Sequence, residues 1–436
     1  MKNTVVAVVL AGGVGNRFWP LQTDKVLFPF MGHPLLEYSV KSVLPKEVTK
    51  VVVITNERNN PHLSQATFSV PTVTVIQRNP YGMADAILSA ASEIENCSLL
   101  IINGDDVTDT DLLSRVVTKG LEDGVFGVIP GFKPDGYFPG GYLSLSGDTV
   151  TDIVEKPGEG NEPSEYVGML GHFIADSTEL LSELRQQKSD NDDIYEKAIS
   201  AMAKRHTFHL LKHEGRFASL KYPWHVLDVM DLLLGRVTSH RGKNVQIKSN
   251  VVIEGDVYLD DDVKVFENTK IVGPCYIGKG TIIGNNVMLR HSHIGAGCVV
   301  GFNSDVTRSY IGDECWFHSN YIGDSVLEKN ISMGSGATLA NLRLDDGIIH
   351  SRVKEEKVST GKNKVGALVG KNVRIGINTS VMPGVKIGCN SFVGSGVILD
   401  KDLPEESFCI VKSTYTVLRN KKSVESQSRD EFKKAL

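Results

Sequence analysis

At 436 residues, the chain is long enough for at least two folded domains, and its formal net charge of -5 comes from interspersed acidic and basic residues. This charge distribution offers no basic surface for nucleic acid and no polybasic stretch for an anionic membrane, so we expect neither partner. The six cysteines include no CxxC pair, which predicts reduced thiols and a cytoplasmic protein.

Residues 1–237 alternate short apolar runs with helix-length amphipathic segments. The first run, VVAVVL, leads into a glycine turn, and VVVIT and LLIIN follow later. A run of this length cannot cross a membrane, so we interpret it as a buried strand. The alternation predicts a doubly wound α/β domain with a largely parallel sheet, whose ligand loops follow the carboxyl ends of the strands.

A strict period of six residues begins at residue 245. Eight hexads run from VQIKSN to VMLRHS, and six more run in phase from ALVGKN to VILDKD. This repeat predicts a triangular solenoid in which each hexad forms one short side and directs its aliphatic residue inward. We therefore predict a parallel β-helix over 245–411, interrupted by a polar stretch at 345–364 and followed by a charged tail at 412–436.

The loop after the first predicted strand combines three glycines with two cations. Gly12, Gly13 and Gly15 allow backbone N–H groups to approach phosphate oxygens, and Arg17 and Lys25 supply positive charge. Glycine turns often have only a conformational role, but cations at these offsets favour a phosphate site. The dinucleotide fingerprint does not fit because its third glycine is missing, and the Walker pattern does not fit because GK[ST] is missing.

Residues 10–29 resemble the signature of the sugar-1-phosphate nucleotidylyltransferase family, which is roughly LAGGxGTRxxPLTxxxPKxLxP. Asn16 replaces the usual threonine and Asp24 the usual proline, in a stretch that is two residues shorter. The resemblance implies that Arg17 and Lys25 are catalytic. It also implies a nucleotide-binding set of Leu10, Ala11, Gly12, Gly13 and Gly15.

Two further matches concern the nucleotide and a metal ion. Gln77 precedes Gly82 by five residues, as in the family segment where the amide pairs with a pyrimidine edge and the glycine admits the base. The apolar strand LLIIN leads to Asp105, which the resemblance assigns both to the nucleotide site and to Mg²⁺, a cation that prefers oxygen ligands. UTP or dTTP is therefore the expected nucleotide.

The sugar phosphate is expected at the segment that matches the family's EKP motif. The resemblance places Glu155 on the sugar hydroxyls and Lys156 near the phosphate, and we add Gly141 to this site. The family's second metal carboxylate is expected at the position of His225. Since Mg²⁺ disfavours imidazole, we predict that the nearby Asp228 takes this role. In the implied reaction the sugar phosphate attacks the α-phosphorus and pyrophosphate leaves.

The middle of the solenoid resembles the acetyltransferase half of the bifunctional glucosamine-1-phosphate acetyltransferase/N-acetylglucosamine-1-phosphate uridylyltransferase family, particularly its archaeal-type members. The matching segments are WFHSNYIGDS at 316–325 and MGSGATLAN at 333–341. The resemblance implies a left-handed β-helix that uses acetyl-CoA. It assigns His318 as the base that takes the amine proton, with Tyr321 and Asn341 orienting the substrate.

Two arginines complete the predicted acetyltransferase site. Arg290 falls where the family places an arginine on the sugar phosphate. The lysine expected later is replaced by Thr307, with Arg308 beside it. We also expect a homotrimer, because threefold packing buries flat apolar faces and creates clefts for acetyl-CoA.

Two alternatives remain open. The chain could be a nucleotidylyltransferase that makes UDP- or dTDP-glucose and has a purely structural β-helix, or it could be a non-catalytic regulatory or scaffold subunit. The presence of Arg17, Lys25 and Asp105 argues against the second alternative.

Overall fold

The computed structural model describes residues 4–134, 136–138, 140–412, 414–423 and 433–434. Part of the predicted tail at 412–436 therefore lies outside the described residues. Within them, no helix is long and apolar enough to cross a membrane. The described chain forms an α/β domain followed by a solenoid of three parallel sheets.

The α/β domain is built on a ten-stranded sheet. Val5–Leu10 is buried at every position and pairs in parallel with Val48–Thr55 and Ser98–Asn103. Its alternate side chains enter two hydrophobic cores on opposite faces of the sheet, which explains the continuous apolar run. The strands in spatial order are Val167–Gly168, Gly141–Ser146, Thr149–Glu155, Phe208–Lys212, Gly127–Phe132, His172–Ile174, Ser98–Asn103, Val5–Leu10, Val48–Thr55 and Thr72–Ile76. The predicted doubly wound domain is confirmed.

Helices cover both faces of this sheet. They are α1 (Leu35–Ser39), α2 (Asn60–Leu63), α3 (Gly82–Ser89), α4 (Leu112–Gly120), α5 (Ser177–Gln186), α6 (Ile194–Ala203) and α7 (His225–Leu234), with 3₁₀ turns at Lys25–Leu27, Lys41–Val43 and Ala91–Glu93. Two small antiparallel pairs join Pro29–Phe30 to His33–Pro34 and Asp106–Thr108 to Phe217–Ser219. The second pair places α7 beside the end of strand Ser98–Asn103.

The solenoid has three faces, each a parallel sheet. The first face contains His240–Arg241, Val257–Leu259, Cys275–Ile277, His293–Ile294, Tyr310–Ile311, Val326–Leu327, Leu368–Val369 and Lys386–Ile387. The second contains Gln246–Ile247, Lys264–Val265, Ile282–Ile283, Val299–Val300, Trp316–Phe317, Ser332–Met333, Arg374–Ile375, Phe392–Val393 and Phe408–Cys409. The third contains Val252–Glu254, Lys270–Val272, Met288–Arg290, Asp305–Thr307, Tyr321–Gly323, Thr338–Leu339, Ser380–Val381 and Ile398–Leu399.

Each coil stacks its inward aliphatic residues into one continuous core. Val257 pairs with Cys275, 18 residues later, whereas Tyr276 pairs with His293, 17 residues later. This coil is one residue shorter than the coil before it, so the hexad register of the sequence shifts near His293. The polar interruption at 345–364 projects from the solenoid. It contains an antiparallel hairpin that pairs His350–Val353 with Glu356–Ser359. The predicted parallel β-helix is confirmed.

The first face packs against the α/β domain. Phe28 and Phe30 place their rings 5.1 and 5.5 Å from the ring of Tyr310. These side chains share one buried core with Trp224, at the start of α7, and with Leu368 of the solenoid. Aromatic and aliphatic burial therefore joins the two domains.

His293 fixes part of this junction. The main-chain N–H of Met31 donates to its Nε2 at 2.9 Å, so the proton is carried by Nδ1, which lies 3.1 Å from the oxygen of Ile311. Burial lowers the pKa of His293 to about 4, and this effect exceeds the opposing effect of the Ile311 bond. The ring is therefore neutral at pH 7 and can accept from Met31.

Acidification should weaken this junction. An unfolded histidine titrates near 6.5, so the stabilisation is fully present above that pH and is lost as pH falls towards about 4. His293→Gln retains an acceptor for Met31 but does not titrate. Between pH 7 and pH 5, the parent should lose about 2 kcal/mol more unfolding free energy than this variant, as measured by urea denaturation. Parallel losses in both proteins would contradict the assignment.

Candidate functional site

A cavity of about 320 Å³ opens at the carboxyl end of strand Val5–Leu10. Most of the residues predicted for nucleotide binding and catalysis line it, namely Leu10, Ala11, Gly12, Gly13, Arg17, Lys25, Gln77, Gly82 and Asp105. Gly15 lies in the adjoining turn, where its φ of 70° suits glycine and its oxygen accepts from Phe18 N–H. The sequence motifs thus converge on a single cavity.

Gly12 is required by the packing of the cavity wall. A Cβ atom at this position would lie 2.5 Å from Oε1 of Gln77. Gln77 is itself buried, and its Nε2 donates to the oxygen of Gly82 at 3.2 Å and to Asp85 at 2.8 Å. Recognition of a base by the Gln77 amide would require these bonds to exchange.

Gly82 adopts a φ of 90° at the start of α3. A Cβ atom there would lie 1.8 Å from Oδ1 of Asp192, a cavity-lining residue that sequence reasoning missed. The space beside Gly82 is therefore occupied by a carboxylate of the chain itself, and the role of Gly82 in admitting a base stays a prediction.

Lys25 and Asp105 form an ion pair inside the cavity, with side chains 19% and 13% exposed. Asp24 caps the 3₁₀ turn that begins at Lys25 by accepting from Val26 N–H at 3.3 Å. Its other oxygen accepts from Asn59 at 3.0 Å. Burial raises the pKa of Asp24. Aspartate at the family's proline position thus anchors the loop that presents Lys25.

The carboxylates beside Lys25 suit a magnesium ion that is shared with substrate. Asp106 Oδ1 is buried and has no hydrogen-bond partner, and burial followed by the charge of Asp105 raises the pKa of Asp106 to about 6. No group of three or more potential ligands occurs among the described residues. Mg²⁺ is commonly held by one or two carboxylates together with substrate phosphates, and Asp105 fits that arrangement.

Sequence reasoning also missed a cation. Lys221 lines the cavity together with Arg17, whose guanidinium carbon lies 5.5 Å from the ring centre of Tyr222. Leu220 N–H donates to the main-chain oxygen of Asp105 at 2.9 Å, which brings Lys221 to the cavity. This approach depends on the pairing of Phe217–Ser219 with Asp106–Thr108, which no local motif signals.

One of the predicted sugar-phosphate residues, Glu155, lines a second cavity, of about 580 Å³. Gly141 pairs directly with Glu155 across two antiparallel strands, and Nζ of Lys156 lies 2.6 Å from Oε1 of Glu155. Asp192 lines the nucleotide cavity, and the next residue, Asp193, lines the second one.

Asp228 is not among the residues that line the nucleotide cavity. It accepts from Lys362, which follows the solenoid hairpin, and it lines a third cavity, of about 640 Å³, between the domains. Its role as a second magnesium ligand stays a prediction. Burial lowers the pKa of His225 to about 4, and its Nδ1 lies 2.9 Å from the oxygen of Ser219.

The predicted acetyltransferase residues cluster on the third face and its edges. Tyr321 Oη donates to Oδ1 of Asn341 at 3.3 Å, and Nδ2 of Asn341 donates to Asp324. Arg308 binds the same carboxylate through two bonds of 2.7 Å and also donates to Thr307 at 3.1 Å. These residues form one network at the edge between the third and first faces.

Arg290 and His318 lie outside this network. Arg290 pairs with Thr307 in the third-face register and makes two bonds of 2.8 and 2.9 Å to Asp305. His318 is exposed at the opposite edge, between the second and third faces. A pocket that combines His318 with Asn341 must therefore span the third face or be completed by a second copy.

Comparisons with known proteins agree with both halves of the chain. Residues 6–217 match the nucleotidyl transferase family, and residues 366–401 match the bacterial transferase hexapeptide (six repeats) family. The chain is 28% identical to a bifunctional protein GlmU from Methanococcus vannielii, over 93% of this chain and 97% of that protein. It is 29% identical to a bifunctional sugar-1-phosphate nucleotidylyltransferase/acetyltransferase from Sulfurisphaera tokodaii, over 91% and 98%. The fold class and the resemblance predicted from the sequence are confirmed.

Proposed function

We propose that this chain, which joins a nucleotidyl transferase domain to a hexapeptide-repeat β-helix, catalyses two transfers on sugar phosphates. The α/β domain joins UTP or dTTP to a hexose or N-acetylhexosamine 1-phosphate, and the β-helix acetylates a hexosamine 1-phosphate. The observation that carries the proposal is the convergence of Arg17, Lys25, Gln77, Gly82 and Asp105 on one cavity.

In nucleotidyl transfer, an oxygen of the sugar 1-phosphate attacks the α-phosphorus of the nucleotide. The bond from that phosphorus to the bridging oxygen breaks, and pyrophosphate leaves. Arg17 and Lys25 hold the phosphates and offset the charge that develops on them. Lys221 adds a third cation to the same cavity. Glu155, which lines the second cavity, and its partner Lys156 hold the sugar phosphate.

Asp105 would hold Mg²⁺, which supplies positive charge to the nucleotide phosphates. Asp105 is paired with Lys25. A nucleotide phosphate would give Lys25 a second anionic partner and would leave the Asp105 carboxylate available to the cation.

In acetyl transfer, the amine nitrogen of the sugar attacks the thioester carbon of acetyl-CoA. The carbon–sulfur bond breaks, coenzyme A leaves as the thiolate, and His318 takes the amine proton. Tyr321 and Asn341 orient the sugar, while Arg290 and Arg308 face its phosphate. Both arginines are held by aspartates, which fixes the guanidinium groups in place.

The test is one incubation of the purified protein with UTP, dTTP, a panel of sugar 1-phosphates and acetyl-CoA, read by mass spectrometry. We expect pyrophosphate with a UDP- or dTDP-sugar, and an acetylated hexosamine 1-phosphate. Nucleotide sugar without any acetylated product would support the alternative with a structural β-helix. Absence of both products would overturn the proposal.

The protein should be a homotrimer in solution. Large apolar side chains are exposed on the second face at Trp316, Phe392 and Phe408 and on the third face at Ile398, which is 71% exposed. Threefold packing of these faces would bury them and place the His318 edge of one copy beside another copy. Light scattering at micromolar concentration should return three times the chain mass. A monomer mass would exclude a site shared between copies.

The thiols are compatible with a reducing compartment. All six cysteines are free, and five of them are buried. Burial raises the pKa of Cys275 and of Cys389 to about 11, so both are protonated and unreactive at neutral pH. We place the reactions in the cytoplasm, where such thiols persist.

A further inference from the structure

The segment that carries Arg17 and Lys25 is clamped between the two domains. On one side, Asp24 ties it to Asn59 of the α/β domain. On the other side, it rests on the first face of the solenoid, where Tyr310 Oη donates to the oxygen of Pro29 at 2.6 Å. The cavity residues of this loop therefore depend on contacts from both halves of the chain.

Glu328 of the solenoid, which is 3% exposed, makes several bonds to this loop. Its Oε1 accepts from the main-chain N–H of Thr23 at 2.7 Å, from the Thr23 hydroxyl at 2.7 Å and from the main-chain N–H of Gln22 at 3.1 Å. Its Oε2 also lies 3.1 Å from the Gln22 nitrogen. Lys371 offsets its charge from 3.5 Å.

These bonds fall between the two catalytic cations. Thr23 is two residues before Lys25, and Gln22 is five residues after Arg17. A buried carboxylate that accepts several donors is held firmly, because each donor would otherwise lose its partner away from water. The position of one side chain of the β-helix is thereby transmitted to the loop that holds the nucleotide phosphates.

We propose that Glu328 is a positioning residue for nucleotidyl transfer, so that the β-helix preorganises the active site of the other domain. The inference rests on the proposed function and goes beyond it, because it assigns the solenoid a part in the reaction of the α/β domain. Glu328 itself does not touch substrate. It acts through the backbone of Gln22 and Thr23, which sets where Arg17 and Lys25 meet the phosphates.

The test is Glu328→Gln in the full-length protein. The amide keeps the shape but removes the charge. Its NH₂ group faces the Gln22 N–H in one orientation and the donors of Gln22 and Thr23 in the other. We expect kcat for nucleotidyl transfer to fall about 10- to 100-fold, since small misplacements of catalytic groups cost this much. KM for the nucleotide should change only a few-fold, and acetyl transfer should be unchanged. Hydrogen exchange of residues 18–28 should be faster.

Glu314→Gln is the matched control. Glu314 also lies on the β-helix and pairs with a lysine, Lys329, but it is exposed and belongs to no contact with the loop. This variant should match the parent in every readout. If Glu328→Gln left kcat and exchange at the parent's values, or lowered both activities together with the folded fraction, the positioning role would be overturned. Absence of nucleotidyl transfer in the parent would instead overturn the proposed function, and loop exchange would still report on Glu328.

Discussion

Replacing Asp105 with alanine should lower the turnover of nucleotidyl transfer about 10³-fold, because the change removes the carboxylate that is proposed to hold Mg²⁺ at the phosphates. It also removes the partner of Lys25, whose ammonium would then move freely in the cavity. Pyrophosphate release at saturating Mg²⁺ and nucleotide measures the effect. Acetyl transfer in the same preparation should match the parent, since Asp105 lies in the α/β domain.

Asp148→Ala provides the control for loss of an ion pair. Asp148 contacts Lys212 at 2.7 Å on the surface of the same domain, and it lines neither of the two cavities. Its removal should leave turnover unchanged. If Asp105→Ala retained turnover within a few-fold of the parent, the metal assignment would be wrong, and Asp106 would become the carboxylate to examine.

Replacing His318 with alanine should lower the rate of acetyl transfer about 10²–10⁴-fold, which is the usual effect of removing a general base. Nucleotidyl transfer should be unaffected. The loss should also be smaller at high pH, where more of the substrate amine is already deprotonated. Release of coenzyme A, followed with a thiol reagent, measures the rate for glucosamine 1-phosphate and galactosamine 1-phosphate.

His62→Ala, which removes an exposed histidine of the α/β domain, should leave both rates unchanged. A normal acetylation rate in His318→Ala would eliminate His318 as the base. Failure of the parent to acetylate either sugar would point to Thr307 as the cause. Thr307 replaces the lysine that the resemblance leads us to expect, and the neighbouring Arg308 binds Asp324.

Both folds could be predicted from the sequence because each is encoded by local patterns of residues. A hexad fixes one side of a coil, and every coil repeats the same rule, so the solenoid could be predicted without long-range information. The nucleotide cavity was also predictable. Its glycines, Arg17 and Lys25 lie within one loop. Gln77 and Asp105 follow two other parallel strands of the same sheet, and the carboxyl ends of parallel strands meet at one sheet edge.

The parts that sequence reasoning missed depend on contacts between distant segments. The bond between Asp228 and Lys362 joins residues that are 134 positions apart, and no motif signals it. Lys221 reaches the cavity because the strand before it, Phe217–Ser219, pairs with Asp106–Thr108. Glu328 contacts a loop about 305 residues away. Periodicity and motif spacing carry no information about such pairs.

The first face of the solenoid is already occupied by its own α/β domain, which has a consequence for the route that a sugar takes. In the proposed trimer only the second and third faces can meet other copies, so the three α/β domains lie on the outside. We therefore expect a sugar phosphate that is acetylated between solenoids to reach a nucleotide cavity through solvent, where an added competing sugar phosphate would intercept it.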